Sequence, residues 1–205
     1  MWLACALLLA DVVRNAGWRM LGDRRNLNVF FAATVVILGI WLIRTGVKPG
    51  LSFHMLGATL LTLMFRARFA LLALALIIFA NTLQAGELAA YPANFLVMAG
   101  LPVGVSWAVY RLVDGRLPNH LFIYIFLNAF FASALAILAV GLVSTLFFAF
   151  AEIYPTQYLL EEYLPFYLLI AWAEAFATGM MITLMVVYKP EWVATFDDAR
   201  YLHGK

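Results

Sequence analysis

An all-α bundle of about seven membrane-spanning helices is the fold that this sequence predicts. Apolar residues make up 66% of the 205-residue chain and charged residues 12%, and the mean hydropathy is +0.95. A soluble domain has about 45–50% apolar and about 25% charged residues, so this chain has too few charges for a water-facing surface. We expect one integral membrane domain over residues 1–205. Residues 190–205 would form a short cytoplasmic tail that lies along the membrane interface or docks a partner.

Seven apolar stretches are the candidate spans, because a spanning helix needs roughly 17–25 mostly apolar residues. The first is the weakest, since Asp11 and Arg14 interrupt it, and without it six spans would keep the same orientation. The sixth is longer than a bilayer requires. The predicted spans are residues 2–19, 28–45, 51–66, 68–86, 92–112, 119–150 and 163–188.

Loop charges predict the orientation, because Lys and Arg concentrate on the cytoplasmic side of a membrane. Basic residues follow the odd-numbered spans, whereas acidic residues dominate the loops after the fourth and sixth; Arg44 and Lys48, after the second span, are the exception. We expect a multi-pass protein of the plasma membrane with its amino terminus outside and its carboxyl terminus in the cytoplasm. The basic residues near the ends of the odd-numbered spans are Arg14, Arg19, Arg24, Arg25, Arg66, Arg68, Arg111, Arg116 and Lys189.

One imidazole, His54, lies in the third predicted span, where lipid penalises a polar side chain that has no role. On a helix that begins near Leu51, it would lie close to the outer side of the membrane. Imidazole is the commonest metal ligand of proteins and carries protons near neutral pH. The competing interpretation is a histidine that hydrogen-bonds a neighbouring helix, and the residues alone do not separate the two.

Asn94 and Met98 lie four residues apart at the start of the fifth predicted span, so they share one helix face near the same outer side. An amide oxygen and a thioether could both face a small cavity there. The alternative is that Asn94 caps the helix after Pro92 and that Met98 only fills space in the core.

Two further polar residues fall inside predicted spans. A carboxylate such as Glu174 costs several kcal/mol in lipid unless it is paired or faces water. We interpret Glu174 as a structural partner of a buried polar group, with an ion route as the alternative. Asn128 is expected to hydrogen-bond across helices.

The sequence contains no recognised catalytic motif. It has no His-Glu-x-x-His, no Gly-x-Ser-x-Gly, no phosphate-binding glycine loop and no dinucleotide fingerprint. We therefore expect a protein that is not an enzyme and does not itself hydrolyse ATP. The basic residues are interpreted as orientation signals, so no nucleic-acid partner is expected, and the lone Cys5 excludes an internal disulfide.

Several segments resemble one family, the cobalt/nickel permease component of energy-coupling-factor transporters (the CbiM/NikM-like family). Residues 50–58, Gly-Leu-Ser-Phe-His-Met-Leu-Gly-Ala, are similar to the family's Gly-x-Ser-Gly-His-Leu-Leu-Gly-Gly segment. Residues 93–104 resemble its Ala-Asn-Val-Phe-Asn-Met run, and residues 189–191 its exit to the cytoplasm. The resemblance covers about residues 28–192, and its specificity comes from the order and spacing of these short motifs.

The resemblance implies a subunit that captures a substrate, with a transmembrane coupling subunit and cytoplasmic ATPase subunits as partners. The family holds cobalt or nickel through its amino terminus and histidines. His54 carries over as a metal ligand, and Asn94 as a residue of the substrate pocket. The family begins Met-His-Ile, whereas this chain has Trp2, so one imidazole is missing. Met55, Met98 and Cys5 would supply softer ligands that suit Cu(I).

Two functions follow as hypotheses. The first is uptake of a transition-metal ion, cobalt or nickel or alternatively copper, which is carried as substrate and is not a permanently bound cofactor. The second is a non-transporting accessory or assembly protein of a larger membrane complex, which the missing second-position histidine favours.

Overall fold

A computed structural model describes the backbone of residues 1–43, 45–48 and 51–201. This part of the chain consists of helices, short turns and one β-hairpin. Short 3-10 turns lie at Trp18–Leu21 and Pro190–Trp192. The principal elements are α1 (Trp2–Asn15), α2 (Arg24–Leu42), β1 (Thr45–Lys48), β2 (Leu51–Phe53), α3 (Ala58–Ala85), α4 (Leu88–Arg116), α5 (Leu121–Phe150), α6 (Thr156–Tyr188) and α7 (Asp198–Tyr201).

Five helices, α2 to α6, are long and apolar enough to cross a membrane. Helix α3 is the most buried of the five and packs against α2 and α4. The outward face of α6 exposes large apolar side chains such as Leu169, Trp172 and Met180, which would be costly in water and suit lipid. The predicted all-helical membrane bundle is confirmed as the fold class.

Two predicted spans need correction. Helix α1 is 14 residues long, shorter than the predicted 2–19 and shorter than a bilayer crossing requires. The predicted span at 51–66 starts as strand β2, and its helix begins only at Ala58. The reason is Gly57, whose φ of 65° is left-handed and cannot belong to a right-handed helix.

Arg66 divides α3, because its backbone is not helical (φ 64°, ψ 166°). Before it, Gly57 lies beside Ile37 and the Phe65 ring lies 5.2 Å from Phe30, so this part runs antiparallel to α2. After it, the Phe69 ring still lies 6.0 Å from Phe30. The chain therefore changes direction at Arg66, close to where the predicted third span ended and the fourth began.

The described part of the carboxyl-terminal tail, up to Tyr201, packs back onto the bundle. Thr195 donates its backbone N–H and its hydroxyl to the Leu63 carbonyl at 3.3 and 2.7 Å. The Tyr124 hydroxyl lies 2.7 Å from the Thr195 hydroxyl. Arg200 pairs with Asp114 at 2.7 Å. The tail thus closes the end of the bundle at which Arg66 lies.

Tyr201 adds a further contact between the tail and α4. Like any tyrosine, Tyr201 keeps its phenol protonated near neutral pH, and burial raises its pKa further. It can therefore donate a hydrogen bond to Asp114, whose carboxylate oxygen lies 3.4 Å away.

Candidate metal-capture site

His54 lies in a non-helical segment, residues 54–57, between β2 and α3. The predicted helical position of His54 was therefore wrong. The hairpin before it is antiparallel, with Thr45 opposite Phe53. The segment extends from this hairpin to the first turn of α3, so His54 sits on irregular backbone that enters the helical bundle.

Glu174, on α6, holds this segment in place. Its two carboxylate oxygens accept hydrogen bonds from the backbone N–H groups of Gly57 at 2.7 Å and Leu56 at 2.9 Å. Glu174 is 1% exposed, so these two donors take the place of water around the carboxylate. On the other side, the indole N–H of Trp41 donates to the Leu56 carbonyl at 3.1 Å.

The His54 ring packs against Trp41, with ring centroids 4.1 Å apart. His54 is half-buried, and its Nδ1 lies 3.3 Å from the Met55 carbonyl oxygen. The backbone that carries the ring is thus fixed by its hydrogen bonds to Glu174 and Trp41. The ring itself packs against the Trp41 indole. Side chains fixed in this way are typical of ligand sites.

A cavity of about 10 Å³ lies beside His54, which is about the space that one water molecule needs. The polar or polarisable groups at its wall come from His54, Met98 and Tyr167. The Tyr167 hydroxyl lies 3.0 Å from the Tyr163 hydroxyl. The rest of the wall is apolar, and consists of Phe53, Leu56, Ile137, Val140 and Ile170.

The structure brings together only some of the predicted site residues. His54 and Met98, 44 positions apart in the sequence, share the cavity wall, whereas Asn94 and Met55 do not line it. Asn94 is half-buried one helical turn before Met98, and Met55 is half-buried next to His54. Cys5 is buried on α1 away from this wall.

Asn128 does not form the predicted hydrogen bond across helices. It is 1% exposed and lies in a π-helical stretch, Tyr124–Phe131. Within the described residues neither its amide nitrogen nor its oxygen has a hydrogen-bond partner, and the same is true of the Thr145 hydroxyl.

No group of three or more His, Cys, Asp or Glu side chains that could hold a metal ion is found in the described part of the chain. At the amino terminus, Trp2 is exposed and its ring lies 6.5 Å from Tyr91. It does not line the cavity beside His54. Among the described residues, an ion in this cavity would therefore meet one imidazole, one thioether and one phenol, those of His54, Met98 and Tyr167.

Sequence reasoning missed Trp41, Gly57 and Tyr167. Gly57, three residues after His54, was a detectable signal, since glycine is the usual residue where a backbone turns left-handed before a helix. Trp41 and Tyr167 carry no local pattern, and only the packing of α2 and α6 brings them to His54.

Residues 1–192 match the model of one protein family, described as "CbiM: Cobalt uptake substrate-specific transmembrane region". The chain belongs to the CbiM family. This confirms the resemblance drawn from residues 50–58 and 93–104. A search of curated proteins by sequence finds no match.

Two solved structures resemble this CbiM-family chain in fold. One is described as a truncated transition metal transporter, with a TM-score of 0.73 and 19% identity over 90% of this chain and 94% of that one. The other is described as a transition metal transporter, with a TM-score of 0.72 and 19% identity over 90% of this chain and 88% of that one. At this identity the likeness establishes the fold.

Proposed function

We propose that this chain is the membrane subunit that captures a transition-metal ion for uptake, with cobalt, nickel and copper as the candidate ions. The ion is cargo, bound at the cavity between His54 and Met98 and then released. The chain hydrolyses no ATP. Its energy comes from cytoplasmic ATPase subunits through a transmembrane coupling subunit, as in energy-coupling-factor transporters.

The observation that carries the proposal is that His54 is fixed beside an ion-sized cavity that it shares with Met98. The hydrogen bonds from Leu56 and Gly57 to Glu174 hold the segment that carries this imidazole. Imidazole and thioether are the donor types that select transition metals over Ca²⁺ and Mg²⁺. Family membership supports the same class of substrate.

The orientation in this proposal places the β-hairpin outside and the carboxyl-terminal tail in the cytoplasm of the plasma membrane. Support comes from the arginines that gather at the opposite end from the hairpin, among them Arg66, Arg68 and Arg111. Positive charge in short loops favours the cytoplasmic side. The ion would then enter beneath the hairpin from outside.

The test is metal retention by the purified full chain in neutral detergent, measured by equilibrium dialysis against Co²⁺, Ni²⁺ and, under reducing conditions, Cu⁺. We expect His54→Ala to lose retention of the bound ion. His120→Ala is the matched control, because the His120 ring caps a helix start at Phe122 and does not line the cavity. Equal retention by wild type and His54→Ala, with both melting alike, would remove the capture proposal.

The accessory or assembly role remains a second proposal, favoured by one observation. The described residues include no cluster of three metal-ligating side chains. A pull-down from the native membrane separates the two roles. Copurification with an ATPase and a coupling subunit supports transport, and a stable complex that lacks both supports the accessory role.

A further inference from the structure

A second cavity, an open groove of about 760 Å³, lies at the other end of the bundle from the hairpin. Three arginines line it: Arg66 at the bend of α3, Arg68 just after it, and Arg111 on α4. All three are exposed. We name this the arginine groove. Metal capture at His54 makes no use of it.

The charge of the arginine groove is only partly compensated. Arg68 donates to the Asn15 carbonyl at 2.9 Å and lies 3.9 Å from the Asp11 carboxylate. In the described part of the chain, the Arg66 guanidinium makes one long contact, 3.5 Å to the Ala194 carbonyl. Among the described residues, one carboxylate, that of Asp11, lies near the three guanidinium groups. The groove is therefore positive and suits an anion with several acceptor oxygens.

Besides the arginines and Asn15, the wall is lined by apolar residues, among them Met20, Trp107 and the buried Phe65 and Phe69. An inorganic anion would gain nothing from these side chains. A molecule with an anionic head and an apolar body would contact both kinds of surface. Tryptophan and arginine side by side are typical of the level where lipid headgroups meet hydrocarbon.

The depth of the groove agrees with that level. A helix rises 1.5 Å per residue, so it crosses about 30 Å of hydrocarbon in about 20 residues. Helix α4 spans Leu88–Arg116, and a crossing that starts near Tyr91 reaches the far boundary near Arg111. The guanidinium groups are therefore placed where the phosphates of one leaflet begin.

We propose that the arginine groove binds the phosphate headgroup of an anionic phospholipid, with the acyl chains along the half-buried side chains of Trp107 and Met20. Basic pockets between transmembrane helices bind such lipids through charge-assisted hydrogen bonds to phosphate. The lipid would bridge the bend of α3 to α4 and so stabilise the end of the bundle that the tail closes.

The backbone of Arg66 offers a sharp test. Its φ of 64° and ψ of 166° belong to a region that glycine almost alone adopts. Arg66→Gly removes a guanidinium group and relieves backbone strain together, so loss of lipid binding cannot be attributed to unfolding. Arg111→Gln removes a second groove charge, and Arg116→Gln, outside the groove, is the matched control.

The experiment measures the melting temperature of the purified full chain in neutral detergent. Dioleoyl phosphatidylglycerol, dioleoyl phosphatidylcholine and inorganic phosphate are titrated in parallel. We expect phosphatidylglycerol to raise the melting temperature of wild type and Arg116→Gln by about 3 °C or more, and that of Arg66→Gly and Arg111→Gln by less than about 1 °C. Phosphatidylcholine and phosphate should have no effect.

Four results would overturn the proposal. An equal response to phosphatidylcholine would show that charge plays no part. An equal response to inorganic phosphate would assign the groove to a free anion. No response of the wild type to any lipid would favour an acidic protein partner for the groove. The same response in Arg66→Gly and Arg111→Gln as in wild type would show that the lipid does not bind at these arginines.

Discussion

The Glu174 carboxylate accepts a 2.7 Å hydrogen bond from the backbone N–H of Gly57, 117 residues earlier in the chain. With the bond from Leu56, it joins the middle of α6 to the segment that carries His54. A movement of α6 relative to α2 and α3 would therefore displace His54. This is the physical link between the cavity beside His54 and the helices around it.

Replacing Glu174 by Ala should lower the melting temperature by about 5–10 °C, because two buried N–H donors lose their acceptors at about 1–3 kcal/mol each. Glu174→Gln keeps one acceptor oxygen, so its melting temperature should lie between those of wild type and Glu174→Ala. Both variants should bind metal more weakly, since the segment at His54 is no longer held. Differential scanning fluorimetry and equilibrium dialysis measure the two effects. Glu162→Gln, exposed on the same helix, should match wild type, and normal melting of Glu174→Ala would contradict the prediction.

Met98→Leu should reduce affinity for Cu⁺ by about tenfold or more and affinity for Co²⁺ by much less, because the thioether donor selects soft ions. Leucine nearly preserves the volume, so the fold should persist. Competition with a chromogenic Cu⁺ chelator measures the change. Met180→Leu is the control, since Met180 is 59% exposed. Unchanged Cu⁺ affinity in Met98→Leu would exclude the thioether as a ligand.

Gly57→Ala should destabilise the protein more than Gly86→Ala. Both glycines have positive φ, 65° and 72°, so alanine costs roughly 1–2 kcal/mol at either position. At Gly57 the new methyl group would also meet the Ile37 side chain, whereas at Gly86 nothing lies within 4 Å. We expect an additional cost of about 1–3 kcal/mol at Gly57.

Ile37→Val should recover part of the loss in Gly57→Ala, because the shorter side chain lacks the Cδ1 atom nearest the new methyl group. Melting temperatures of the two single variants and the double variant complete the cycle. Equal losses in Gly57→Ala and Gly86→Ala, with no recovery by Ile37→Val, would show that steric contact plays no part.

Thr195→Val should loosen the tail, because it removes the hydroxyl bonds to Leu63 and Tyr124, both 2.7 Å. A loss of about 1–2 kcal/mol corresponds to roughly tenfold faster hydrogen exchange in residues 197–201. Hydrogen–deuterium exchange followed by mass spectrometry measures this increase in exchange rate. Thr183→Val is the control, since Thr183 bonds only the Gly179 carbonyl within its own helix in the described structure. Unchanged exchange would mean that other contacts hold the tail.

Much of the bundle was predictable, because lipid requires long apolar helices and the chain has few charges to place elsewhere. The helices α4 to α6 follow directly from apolar stretches of sufficient length. The start of the third helix was not predictable from apolarity, since the apolar stretch that begins at Leu51 forms a strand up to Phe53 and a helix only after Gly57. Hydropathy does not distinguish these two backbones.

The candidate site was partly predictable. His54 and Glu174 stand out because lipid tolerates few ionisable side chains. How α5 and α6 are rotated about their axes decides two further features. Glu174 bonds the Leu56 and Gly57 backbone amides, and Asn128 has no partner in the described structure. Contacts between distant segments of this kind leave no trace in a single sequence.

The sequence alone determined that the chain is a helical membrane protein. It also singled out a few polar residues that need a role, because burying charge in lipid is costly. Only the tertiary structure decided which of them meet. It placed His54 and Met98 at one cavity, fixed the segment that carries His54 through Glu174, and bent α3 at Arg66. The reason is that helix rotation and backbone reversal are set by packing between distant segments, which no local pattern encodes.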